Sequence, residues 1–237
     1  MHDPSAGKAI RPLDANERRV LGTLIEKAKT TPDQYPLSLN ALVTGCNQKS
    51  NRDPLMTLDE EQVMRAIEGL RASGAAAEVF GSGKIPRYRH LAYEWLGVEK
   101  EQLAIMGELL LRGEQSEGDL RGRASRMDPI PDLDQLRAHL DSLAAKQLIV
   151  WLSPPGRGRM LTHGLLPAEK LEKVRSQIGT ADQPTATAET VSTETRPSAE
   201  KPRASPEHSL EARLAAVERQ LAEVVARLAD LEQESLS

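Results

Sequence analysis

Between Pro36 and Gly74 the chain reads as a short apolar-faced segment, a polar loop and a second apolar-periodic run. A weaker copy of that order recurs at Ser116–Gln147. A chain that repeats one supersecondary unit has to pack two copies of it. In the first copy Ser38 is placed to cap a short helix burying Leu39, Leu42 and Val43, with Gly45 at its end. A polar loop runs from Asn47 to Met56. Thr57 and Glu60 then have capping-box spacing ahead of Val63, Ile67 and Leu70, and Gly74 stops the run. Glu78–Phe80 and Arg87–Tyr93 flank Gly81-Ser-Gly-Lys84, which predicts a hairpin. In the copy, helices are expected at Ser116–Ala124 and Asp132–Lys146, a strand at 148–152, a turn at Pro154–Arg159 and a return strand at Met160–His163. Val63, Ile67 and Leu70 map onto Leu136, Leu140 and Leu143 at a constant shift of 73.

Each unit is preceded by another helix. Asp14 is an N-cap for a run with Val20, Leu21, Leu24, Ile25 and Ala28 on one face, and Glu99–Arg112 carries Leu103, Ile105, Met106, Leu109 and Leu110. Three helices followed by a hairpin is the order of a winged helix. The expected fold is mainly α with small β-hairpins: two tandem winged-helix domains, 13–97 and 98–178, after a flexible arm at 1–12.

Residues 179–206 are rich in Thr, Ala, Glu, Ser and Pro without apolar pattern, and predict a disordered linker. Its mean span would be roughly 30 Å. From 207 to 237, Leu210, Leu214, Val217, Leu221, Val224, Leu228 and Leu231 repeat at alternating spacings of four and three, the seam of a coiled-coil helix. A parallel pairing sets Arg213 against Glu218 and Arg227 against Glu232 of a second copy. The expected partner of this tail is therefore another copy of the chain.

Charge separates the regions. The chain carries a net -4, and residues 179–237 hold six basic and eleven acidic residues, leaving 25 basic against 24 acidic in the rest. A nearly neutral body is not a general polyanion binder, so any nucleic-acid surface has to arise by clustering. The one cysteine, Cys46, excludes an intrachain disulfide and reads as a small buried apolar residue. No signal peptide and no apolar run of about 20 residues is present, which points to a soluble cytoplasmic protein with no membrane partner.

Catalytic signals are poor. The five histidines make no metal spacing, and no cofactor or metal is expected. Gly81-Ser-Gly-Lys84 fails as a phosphate loop, because Glu78 stands where that motif needs glycine and Ile85 where it needs Ser or Thr. The basic residues are better placed. Lys49 and Arg52 lie in the first polar loop and Lys84, Arg87 and Arg89 on the first hairpin. Arg121, Arg123 and Arg126 follow the short helix of the copy, and Arg157 and Arg159 sit on its hairpin. Lys and Arg there would contact phosphates and release counterions. Against groove reading, the helix that would enter the groove begins Asp59-Glu60-Glu61, and its copy begins Asp132-Leu-Asp134.

The stretch Thr31-Pro-Asp-Gln-Tyr-Pro-Leu-Ser-Leu-Asn-Ala-Leu-Val-Thr-Gly-Cys-Asn-Gln-Lys-Ser-Asn-Arg-Asp-Pro54 resembles the signature of the bacterial YceH family. Leu109-Leu-Leu-Arg-Gly, Arg126-Met and Asp132-Leu resemble that family's second half. The resemblance covers about 13–166 and implies tandem winged helices of undefined role, with no catalytic residues to carry over. The second hairpin, Pro155–His163, is less charged and aromatic than the family's usual run. Two readings stand. One is a non-enzymatic, self-associating protein that binds duplex DNA through phosphate contacts, with transcriptional regulation as its use. The other is a protein-interaction scaffold that touches no nucleic acid.

Overall fold

The computed structural model describes residues 10–80 and 85–181. Most of the expected arm, the first hairpin turn with Lys84, and residues 182–237 with all seven heptad positions lie outside them. The described chain is mainly helical with two small three-stranded antiparallel sheets.

The first half runs α1 (Ala15–Thr30), β1 (Leu37–Ser38), α2 (Leu39–Cys46), α3 (Glu60–Ser73), β2 (Ala76–Phe80) and β3 (Pro86–His90). A short α4 (Ala92–Leu96) leads to the second half: α5 (Lys100–Arg112), β4 (Gln115–Ser116), α6 (Glu117–Ala124), α7 (Leu133–Ala145), β5 (Ile149–Trp151) and β6 (Met160–His163). A last helix, α8 (Ala168–Ala181), follows. The sheets are ordered β1-β3-β2 and β4-β6-β5, so each hairpin gains a third strand that sequence periodicity did not show. Those extra strands are two residues long and pair with partners about fifty positions away, Leu37 with Tyr88 and Gln115 with Leu161.

The halves are copies. α2 and α6 begin at Leu39 and Glu117, 78 apart, whereas α3 and α7 begin at Glu60 and Leu133, 73 apart. The loop between the second and third helices is therefore five residues longer in the first half. After that loop the equivalence holds closely. Glu78 faces Tyr88 as Trp151 faces Leu161. His90 and His163, 73 apart, both accept an N–H two residues on, from Ala92 at 3.3 Å and Leu165 at 3.2 Å. These turns end both strands. The first strand consequently stops at His90 rather than Tyr93, and the chain goes directly into α4.

Local caps explain most helix ends. Asp14 and Glu17 form a capping box on α1. Ser38 caps α2, and Asp132 caps α7. Two ends differ from expectation. α3 starts from an Asp59–Gln62 box, not from Thr57, because the Asn47 side chain holds both backbone groups of Leu58, accepting at 2.7 Å and donating at 2.8 Å. A residue held so cannot lie in a helical turn. α2 runs on to Cys46, and Gly45 is no terminator: a Cβ there would lie 2.7 Å from Thr23 Cγ2, so its role is close packing on α1. At the other end of the body, α8 takes the first three residues of the expected linker.

The halves share one core. Every residue from Glu17 to Glu26 of α1 and from Gln102 to Leu111 of α5 is buried. Helices apolar or satisfied all round belong in an interior, and these two lie against each other. A Cβ on Gly107 would sit 2.7 Å from Ile25 Cγ2, and one on Gly22 would sit 2.9 Å from Leu111 Cγ. Buried Asp128 adds a polar tie, pairing with Lys29 of α1 and, at 2.9 Å, with Lys100 at the start of α5.

Gly107→Ala forces a methyl against a β-branched side chain that has no room to turn. Unfolding free energy in urea is expected to fall by about 1–3 kcal/mol. At the end of α3 the left-handed position is Gly74 (φ 80°), whereas its equivalent after α7 is Gln147 (φ 58°). Gln147→Gly is expected to raise stability by about 1 kcal/mol in the same assay.

Candidate nucleic-acid interface

Tertiary structure sorts the ten basic residues by what each side chain meets. β3 alternates: Tyr88 is buried at 2%, so Arg87 and Arg89 face outward, opposite Val79 and Ala77 of β2. Both are exposed. Arg87 donates one N–H to the Pro36 carbonyl at 2.9 Å, which fixes its stem and leaves the rest of the fork to solvent. No carboxylate among the described residues pairs with either. Phe80 and Ile85, each 68% exposed, border the turn of this hairpin. Lys84 lies in that turn, outside the described residues.

Arg52 has to be withdrawn as a nucleic-acid residue. Its side chain is fully buried and meets Glu26 of α1 at 2.6 Å and 3.3 Å, with two further bonds to the Gly45 carbonyl and one to Gln48. Burial alone would raise the Glu26 carboxyl, but hydrogen bonding and attraction from Arg52 outweigh it and hold it below the usual carboxylate range. Asn51, beside Arg52, donates to Glu26 and also to Glu108 of α5, joining the two central helices. The five extra loop residues thus help build a buried polar tie. Lys49, in the same loop, stays exposed.

In the second half most candidates are occupied. Arg121 donates to the carbonyls of Ile130 and Pro131, and Arg123 to the Gln115 side chain at 2.7 Å. Arg126 reaches buried Glu108 at 3.3 Å. Arg157 is exposed. Arg159, in the connection just before β6, lies over the ring of Trp151 on β5, 3.5 Å from its centre, a cation–π stack that the sequence did not show although both residues stood in the hairpin.

The third helices offer little positive charge. On α3, Arg65 is paired with Glu61 and Arg71 with Glu78, while Glu60 and Glu68 are exposed. On α7, Arg137 is shared between Glu117 and Asp134. Of the ten candidates, the described ones left without a carboxylate or an internal acceptor are Lys49, Arg89 and Arg157, with Arg87 held by one carbonyl only. This arrangement suits contact with a phosphate backbone more than reading of base edges.

Cys46 is buried, and burial pushes its thiol up to about 11. Among the described residues no three His, Cys, Asp or Glu side chains converge as a metal would require. No described helix is long and apolar enough to cross a membrane.

Removing Arg52 would strand Glu26 without its counterion. Arg52→Ala is expected to cost about 3–5 kcal/mol in urea unfolding, with Glu26→Gln in the same chain recovering part of it. Arg87→Ala and Arg89→Ala are expected to cost less than about 0.5 kcal/mol each.

A family model described as a protein of unknown function, DUF480, matches residues 13–157. A UPF0502 protein of Rhodopirellula baltica is 54% identical over 178 residues, covering 73% of this chain and 75% of the relative. One from Koribacter versatilis is 43% identical over 161 residues, covering 66% and 75%. One from Geobacter sulfurreducens is 52% identical over 134 residues, and there the match spans 61% of the relative's length. Each of these names carries a family and no activity.

Proposed function

The chain belongs to the DUF480/UPF0502 family, which is YceH-like and supplies no activity to inherit, and from that premise we propose a non-enzymatic, DNA-binding protein built of two tandem winged helices. The order helix, strand, helix, helix, strand, strand in each half supports the winged-helix reading. One observation carries the DNA reading. Arg87 and Arg89 project from the outer face of the first wing with no carboxylate to neutralise them, while the arginines of α3 and α7 are paired internally. The duplex would be gripped by wings and by Lys49, along its phosphates, and base sequence would matter little. Copies joined through Leu210–Leu231 would add avidity to weak single grips. In the cytoplasm of a bacterium such a protein would act in transcription or in packaging DNA.

A second reading has its own observation. Phe80 and Ile85 are large apolar side chains exposed beside the first wing's turn, and α3 opens on exposed carboxylates. An apolar tip with acidic surroundings suits a protein partner, and recovery of partners from lysate after nuclease treatment would favour it.

Four cations contacting phosphates make log Kd rise by about 3 to 4 for each tenfold increase in salt, or roughly 100-fold weaker binding between 50 and 200 mM salt. Fluorescence anisotropy with a mixed-sequence duplex is expected to show this, and Arg87→Ala with Arg89→Ala to reduce the slope by about 2. Absence of binding at 50 mM, or binding indifferent to both salt and the variant, would discard the proposal.

A further inference from the structure

A cavity of about 190 Å³ lies between the halves, bounded by α1, α5, β6, α8 and the long loop. It exists because the second wing is covered where the first is open. Leu161 faces inward, as its equivalent Tyr88 does. Thr162, equivalent to exposed Arg89, faces the other way yet is fully buried beneath side chains of α1 and α8.

The lining is cationic and incompletely satisfied. Arg18 and Arg19 are 8% and 2% exposed, and among the described residues neither has a carboxylate within 4.0 Å. Arg18 donates to the Leu13 carbonyl. Arg19 donates to the carbonyls of Cys46 and Pro54, and its Nε has no partner. The contrast with Arg52 is direct: there a buried guanidinium is matched by Glu26, and here two buried guanidinia in succession are not. Buried charge is costly unless paired. Thr162 also lines the cavity and its Oγ1 has no hydrogen-bond partner, while Arg112 lines it with its Nε 4.0 Å from the buried Glu108 carboxylate. His163 accepts from Leu165 N–H at Nδ1, so its proton sits on Nε2 as one more donor, and burial keeps the ring neutral by pushing it down to about 3. Lys170 stands exposed at the rim, as do the carboxylates of Asp53 and Glu114.

We propose that this cavity binds a small oxyanion, a phosphate or carboxylate group carried by a metabolite, with Arg18 and Arg19 as its counter-charges and Thr162 as a further donor. Its volume admits the anionic group and a few carbon atoms and excludes a polymer. The site stands apart from the wing surface and does not depend on DNA binding. It also touches the loop that carries Lys49, because Arg19 holds the carbonyls of Cys46 and Pro54 on either side of it. An anion here would act as an effector, stiffening that loop against α1.

The test is a thermal-shift titration of the full chain with sodium phosphate and, separately, sodium succinate, against sodium chloride of equal ionic strength. A saturable rise in Tm above the chloride baseline is expected with at least one. Phosphate alone would name a tetrahedral group, and succinate alone a carboxylate. Arg19→Met is expected to abolish the response. Lys170→Gln, at an exposed position that cannot threaten the fold, is expected to raise the midpoint concentration roughly three- to tenfold. A wild-type Tm that follows chloride in both salts overturns the proposal, as does a response that both variants keep unchanged.

Discussion

Two helices buried on every side govern this molecule. α1 and α5 lie against each other closely enough that Gly22 and Gly107 have no space for a side chain, and ten consecutive residues of each are out of water. A helix in that position cannot turn its polar residues to solvent. Glu17, Arg18, Arg19, Glu26, Gln102 and Glu108 are all carried inside, and each has to be met there. Arg52, Asn51, Arg126 and the carbonyls of neighbouring loops are recruited to meet them. The internal demand for partners decides which cations remain for anything outside.

The duplication carries that logic further. Glu26 of α1 and Glu108 of α5 each take an arginine from the loop after the next helix. The halves then diverge in two ways. The first has five more residues in that loop, and they bring Arg52 down onto α1. The second has α8, which closes over its hairpin. The same strand position is consequently a solvent-facing arginine, Arg89, in one half and a buried threonine, Thr162, in the other. One hairpin is open to solvent, and the other has become the wall of a cavity.

Several features of the chain were legible residue by residue because their causes are local. Asp14, Ser38 and Asp132 cap helices with their own side chains. Val63, Ile67 and Leu70 bury one face, as do Leu136, Leu140 and Leu143, and Gly74 ends α3 in a left-handed turn. The hairpins follow from strand alternation across a turn, and the shift of 73 holds from α3 to the end of the second hairpin. Candidate cations were less legible. Lys49, Arg87, Arg89 and Arg157 stand exposed, but an arginine in a polar loop carries no mark of the helix that will cover it, and Arg52 is inside.

What the amino-acid order determined by itself is the set of helices and hairpins and the fact of their repetition, since capping, periodicity and turn chemistry act within a few residues. Only the tertiary structure decided where charge resides. Glu26 and Arg52 are 26 positions apart, Lys29 and Asp128 are 99 apart, and β1 finds β3 across half a domain. Pairing a buried charge is a contact between distant segments. It exists only once α1 and α5 have come together and excluded the water that would otherwise have solvated both partners.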